Sequence, residues 1–203
     1  MSKEVPLSFY RQTDVVRLAR ELLGKSLFTE SNGVITGGII TETEAYAGVT
    51  DKASHAYGGR FTDRTQIMYH EGGCTYVYLC YGIHSLFNIV TNVEGIPHAI
   101  LIRAIKPTIG VDAMLIRRGM KNAGPGFCKG PGKVSKALDI HYSHTGLMLS
   151  KEVANDAKMK IWIEESDDIV PAEDIIITSR IGVDYAGEDA LLLYRFELKT
   201  KTF

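Results

Sequence analysis

The sequence predicts an α+β fold: one domain on a mostly antiparallel, curved β-sheet, with peripheral helices and a protruding β-hairpin. Three observations lead there. Short stretches rich in β-branched and aromatic residues recur along the chain, one pair of them is joined by Tyr81-Gly82 at hairpin spacing, and only a few segments carry helical periodicity.

In chain order, Thr13 and Asp14 offer a helix N-cap. Val15, Leu18, Ala19, Leu22 and Leu23 follow at helical spacing until Gly24 closes the helix, about ten residues in all. Extended segments are expected over residues 26–28 and 34–46, then a loop rich in Gly, Asp and Ser over 47–63. Residues 74–81 alternate aromatic and aliphatic side chains and resume after the turn over 83–91. A strand over 98–105 is ended by Pro107, and helices are expected near 110–118 and 133–138, separated by a glycine-rich stretch. Strands return over 158–163, 175–178 and 191–198, with no repeat, linker or low-complexity tract.

A length of 203 residues needs only one core, and 45% hydrophobic with 23% charged residues places the chain with soluble globular proteins. No apolar run approaches the roughly 18 residues of a membrane-spanning helix. The N-terminus lacks a hydrophobic signal segment, and Cys74, Cys80 and Cys128 show no CxxC spacing, so the expected compartment is the reducing cytosol. The net charge of −1 argues against bulk electrostatic coating of nucleic acid, but the charges are segregated. Between Arg103 and Lys136 the only acid is Asp112; between Glu164 and Asp189 the only base is Arg180. That pattern fits either a local phosphate-binding surface or two solvated faces of opposite sign.

The chemistry is sought first at Thr41-Glu42-Thr43-Glu44-Ala45-Tyr46. Alternation along a strand places Glu42, Glu44 and Tyr46 on one face, where two carboxylates and a phenol make a poor core. Such a face either meets water or serves proton transfer. In the hairpin, Tyr76 and Tyr78 share a face, and Tyr81 sits at the turn. An aromatic ring at a tip either folds back onto its sheet or meets a partner, such as the gap between stacked bases.

Several strings in order resemble the alkyladenine DNA glycosylase family, the 3-methyladenine DNA glycosylases of the mammalian type. They are Thr43-Glu44-Ala45-Tyr46, His55, Gly58-Gly59-Arg60, Tyr76-Val77-Tyr78 to Tyr81-Gly82, Asn88, Leu101-Ile102-Arg103-Ala104, Gly130-Pro131 and Arg180-Ile181-Gly182-Val183. The resemblance runs from about residue 8 to the C-terminus. It implies a single DNA glycosylase domain over residues 1–203, acting as a monomer on double-stranded DNA that contains damaged purines. It further implies no cofactor or metal, and action in a bacterial-type cytoplasm at the nucleoid.

In the roles so implied, Glu44 is the general base that activates water for attack on C1′ of an everted nucleotide, and Arg103 positions that water and keeps the carboxylate ionised. Tyr46, His55 and Tyr78 enclose the base, Tyr81 fills the gap left in the duplex, and Asn88 excludes the 2-amino group of normal guanine. Arg60, Thr62, Arg64 and Lys133 are expected on the DNA backbone. The lesions accepted within the family are 3-methyladenine, 7-methylguanine, hypoxanthine and ethenoadenine, and its members leave an abasic site. Two departures bear on local DNA contacts: Gly132 stands where animal enzymes often have serine, and His84 where they have an aromatic residue.

Other readings of the same residues compete with this one. His70, Cys74, Cys80 and His84, or His141 with His144, match no zinc spacing. The stretch 126–133 resembles a phosphate loop but has Phe127 and Val134 where glycine and a hydroxyl residue are required. No cysteine is marked as a nucleophile. Lys106 or Lys133 could form a Schiff base, and the same tyrosines and basic segment would also suit a module that binds damaged or single-stranded nucleic acid without cutting it.

Overall fold

The computed structural model describes residues 3–152, 158–166 and 169–199. Its strands are β1 (Ser26–Ser31), β2 (Val34–Tyr46), β3 (Thr75–Cys80), β4 (His84–Thr91), β5 (His98–Ile109), β6 (Met159–Glu164), β7 (Ile175–Thr178) and β8 (Arg195–Leu198). They form one sheet in the order β3-β4-β5-β2-β1-β6, with β8 joining β2 to β7, and every strand pair is antiparallel. The expected α+β architecture with a curled antiparallel sheet is what forms.

β2 organises the sheet. One edge pairs with β5 over nearly its whole length, while the other is shared between β1 in its first half and β8 at Glu42 to Glu44. The α-helices are α1 (Leu7–Tyr10), α2 (Val15–Glu21), α3 (Val111–Arg118) and α4 (Pro131–Ala137). The Asp14 side chain caps α2 by accepting from Arg17 N at 2.9 Å, and Gly24 at φ 84° turns the chain away. Leu18 and Ala19 of α2 and Leu22 at its C-cap, with Val134, Ala137 and Leu138 at α4, bury against Ile40, Ala45, Phe87, Ile100 and Ile102 of the sheet. Each large side chain so buried contributes about 1.5–3 kcal/mol, which commits this face to the core and leaves the other for polar residues.

Several boundaries differ from the sequence expectation. α2 is shorter than expected, α1 precedes it, and the 47–63 loop contains 3-10 turns at Gly48–Thr50 and Tyr57–Gly59. Pro107 does not end β5, which continues to Ile109. It lies opposite Gly38 beside a register shift, and a Cβ on Gly38 would come within 2.4 Å of the Lys106 carbonyl oxygen. The missing side chain lets the proline-bearing strand pass. The last strand begins at Arg195, not at 191, because its β7 partners run only from Ile175 to Thr178; residues Asp184–Leu191 form 3-10 turns instead.

The decisive local feature is a pair of offsetting bulges. Ile40 faces Ile105, Glu42 faces Ala104 and Thr43 faces Ile102, so Thr41 is an extra residue on β2 and Arg103 an extra residue on β5. The core-facing side chains Ile102 and Ile105 are accordingly three apart, where an unbroken strand would space them evenly. The Arg103 carbonyl leaves the ladder and accepts Gly130 N–H at 2.8 Å, and its side chain is directed onto the carboxylates of β2.

Candidate active site

On the face away from α2, register aligns Tyr76, Asn88, Leu101, Glu44 and Arg195 across β3, β4, β5, β2 and β8. Above this row lies a slot of about 230 Å³ whose walls include Tyr46, His55, Tyr76, Tyr78, Asn88, Arg103 and Ile181. That volume is below the roughly 300–1,000 Å³ of drug-sized ligand sites, so it suits one small planar group. A larger hollow of about 390 Å³ opens beside Phe127, Cys128 and Lys129. Its carboxylate, Glu197, is held by Lys129 and Arg195, and no tyrosine or histidine lines it, so it lacks the makings of the same chemistry.

Glu44 is completely buried. Its Oε1 accepts the Ile181 N–H at 2.8 Å, its Oε2 accepts the Tyr46 hydroxyl at 2.8 Å, and Arg103 Nη1 lies 3.3 Å from Oε2. All three partners also line the slot. Burial raises the carboxyl above its ordinary range, and Arg103, the Ile181 N–H and the Tyr46 hydroxyl oppose that shift without cancelling it. Arg103 does favour the ionised carboxylate as expected, but desolvation is the larger effect.

The wall opposite is aromatic. The His55 ring meets Tyr78 edge-on, with centroids 4.7 Å apart, and its Nδ1 is 2.8 Å from the Tyr76 hydroxyl. Arg64 Nη2 lies 3.2 Å from His55 Nε2, which must then be the acceptor, so the imidazole is neutral and donates from Nδ1. Burial, with the charges of Arg64 and Arg60, lowers the His55 pKa to about 4. The Arg64 guanidinium also covers the Tyr78 ring at 4.7 Å. The Asn88 side-chain amide donates to the carbonyls of Tyr76 and Leu86 at 3.1 and 3.2 Å, which fixes its rotamer inside the slot.

Tyr81 stands at the hairpin tip with 92% of its surface exposed, at φ 51° beside Gly82 at φ 72°. The ring does not fold back onto the sheet. Arg60 is exposed, the Thr62 hydroxyl is 3.1 Å from that of Thr65, and Lys133 Nζ reaches the Gly126 carbonyl at 3.4 Å. Gly132 touches His84, since a Cβ there would lie 3.2 Å from the histidine Cβ and Cγ.

Part of the basic segment is engaged within the fold. Arg103 is buried in the site, Arg117 is bound to the Thr36 hydroxyl and the Ala137 carbonyl, and Lys129 pairs with Glu197. In the acidic segment, Asp167 and Asp168 lie outside the described residues. The carboxylate partner of Arg180 is not one of that segment's acids but Asp51, held by both Nη atoms at 2.5 and 2.9 Å. No lysine among the described residues lines the slot, and no group of three His, Cys, Asp or Glu side chains there is placed to hold a metal ion.

Some participants escaped the sequence reading. Tyr76 was placed on the correct face but given no role, and the Ile181 N–H is a backbone group with no side-chain signature. Asp51 offered no local signal for its bond to a residue 129 positions away. It anchors the 47–54 turn and lets the Arg180 guanidinium cover the Tyr46 ring at 4.9 Å.

Residues 8–202 match the family described as methylpurine-DNA glycosylase (MPG). The chain is 45% identical over 198 residues to a protein of Chlamydia felis provisionally named 3-methyladenine DNA glycosylase, covering 97% of each. A protein of Chlamydia abortus with the same provisional name is 44% identical, with 97% of this chain and 99% of the other aligned. One from Clostridium perfringens is 38% identical over 203 residues, spanning 96% of this chain and 95% of its own. Aromatic slot and kinship together define a DNA glycosylase. The chain belongs to the methylpurine-DNA glycosylase family.

Proposed function

We propose that this glycosylase everts alkylated or deaminated purines from double-stranded DNA and hydrolyses their N-glycosidic bond with a water activated by Glu44, leaving an abasic site. The observation that carries this reading is the buried Glu44 carboxylate, whose three contacts, Tyr46, Arg103 and Ile181 N–H, all belong to the wall of an aromatic slot. Oε1 accepts a single hydrogen bond from the protein and keeps a lone pair for a water proton. As the bond to the base stretches, the sugar gains oxocarbenium character, and an adjacent carboxylate offsets that charge while taking the proton.

The substrates are 3-methyladenine, 7-methylguanine, hypoxanthine and ethenoadenine. Tyr46, His55 and Tyr78 sandwich the base, and π faces favour alkylated purines because these carry positive charge. The fixed Asn88 rejects the 2-amino group of guanine by crowding it. Tyr81 occupies the vacated space in the duplex, and Arg60, Thr62, Arg64 and Lys133 meet phosphates. The absence of a lysine from the slot wall supports hydrolysis over Schiff-base chemistry. The enzyme works as a single domain and a monomer, in the cytoplasm at the nucleoid.

Glu44→Gln tests the reading. It retains lesion-duplex binding and loses base release by at least about a hundredfold in single-turnover assays; release at the wild-type rate overturns the assignment.

A further inference from the structure

Glu42 is a buried acid for which the proposed reaction has no use. It is 2% exposed and, like Glu44, is not itself part of the slot wall. But where all three partners of Glu44 are wall residues, Glu42 shares only Arg103 with the wall and turns otherwise to Arg195. Its Oε1 accepts two charged hydrogen bonds, from Arg103 Nε at 2.8 Å and from Arg195 Nε at 2.7 Å. Arg195 is in turn fixed by the Thr178 hydroxyl at 3.0 Å and by Glu197 Oε2 at 2.7 Å. The result is an alternating line of charge, Glu44, Arg103, Glu42, Arg195, Glu197, leading from behind the slot wall to the larger hollow that Glu197 lines.

Buried ion pairs of this kind are weak sources of stability, since apolar residues of similar volume often serve as well or better. Their geometry is more telling. Arg103 binds Glu42 through Nε and presents Nη1 to Glu44, so Glu42 holds one edge of the guanidinium while the other is turned to Glu44. We propose that Glu42, clamped by Arg195, is a positioning residue that fixes the orientation of Arg103 and divides its charge, so that Glu44 is held without being fully neutralised.

The inference rests on the reading of Glu44 as the base. The charged and titratable groups around Glu44 are Glu42 and Tyr46 on its own strand, Arg103 on β5 and Arg195 on β8, with Arg180, Tyr78 and Tyr185 beyond them. Removing the Glu42 charge leaves Arg103 and Arg195 without their shared anion. Both then act on Glu44, which becomes a weaker base that ionises at lower pH. Removing the Arg195 charge does the reverse: Glu42 draws Arg103 more strongly, and Glu44 is left less compensated.

The experiment is the pH dependence of single-turnover base release from methylated duplex DNA, with duplex affinity measured in parallel. Glu42→Gln is expected to lower the plateau rate by about tenfold, leave affinity within about threefold of wild type, and move the acid limb to lower pH. Arg195→Gln is expected to move that limb to higher pH, and Arg195→Lys to restore it. Opposite movements support positioning through charge, because simple loosening of the fold has no reason to give opposite signs. Unmoved acid limbs, or limbs that move in the same direction in both variants, overturn the inference. Should Glu42→Gln fail to fold, the Arg195 pair decides alone, and an unmoved limb in Arg195→Gln overturns the inference. Release that survives Glu44→Gln removes the base assignment itself; a dead Glu44→Gln beside an unmoved Glu42→Gln limb removes only the role of Glu42.

Discussion

The Tyr46 hydroxyl donates to Glu44 Oε2 at 2.8 Å from two residues along the same strand face. That bond favours the ionised carboxylate. Tyr46→Phe removes it while keeping the ring, so the Glu44 carboxyl, already raised by burial, rises further. The acid limb of the rate profile for base release therefore moves to higher pH, and the variant is more impaired at pH 6 than at pH 8. A uniform loss across that range contradicts the prediction.

Tyr81 touches solvent over nearly all its surface, so its replacement leaves the fold alone. Tyr81→Ser changes unfolding free energy by no more than about 0.5 kcal/mol. If the ring enters the duplex, affinity for lesion DNA falls on the order of tenfold. Equal affinity in a titration removes the wedge role.

Arg180 and Asp51 form a fully enclosed pair, with side chains 0% and 1% exposed. Arg180→Met strands a buried carboxylate, and Asp51→Leu strands a buried guanidinium; each costs about 3–5 kcal/mol in urea unfolding. The double variant recovers much of that loss, because neither charge is then left alone. Additive losses count against the pair as the cause.

His55 ionises near pH 4 instead of its ordinary 6.5. Between those values the unfolded chain binds a proton that the folded chain does not, so stability declines as pH falls from about 6.5 towards 4 and this contribution is flat above. Allowing for partial exposure of the ring, the decline is on the order of 2 kcal/mol. His55→Gln flattens the dependence when urea midpoints are compared across that range; parallel curves for the two proteins reject it.

How much of this was legible depended on distance along the chain. Alternation alone placed Glu42, Glu44 and Tyr46 together, and three contacts to Arg103 and each other show that it did so correctly. The hairpin was readable from Tyr81-Gly82 because two consecutive positive φ values suit that turn. The bulges were not readable. An extra residue at Thr41 is cancelled by one at Arg103, so the pattern of each strand read singly shows only a local irregularity, and only the pairing exposes the match. Arg103 itself was singled out by family likeness, and Asp51 by nothing, since its partner lies in a different loop.

Gly132 and His84 meet across less than a side chain's width. The contact joins the entrance of α4 to the hairpin. A first side-chain atom at 132 asks the histidine to give way by a few tenths of an ångström, so rebuilding the helix entrance also moves the flank of the hairpin tip.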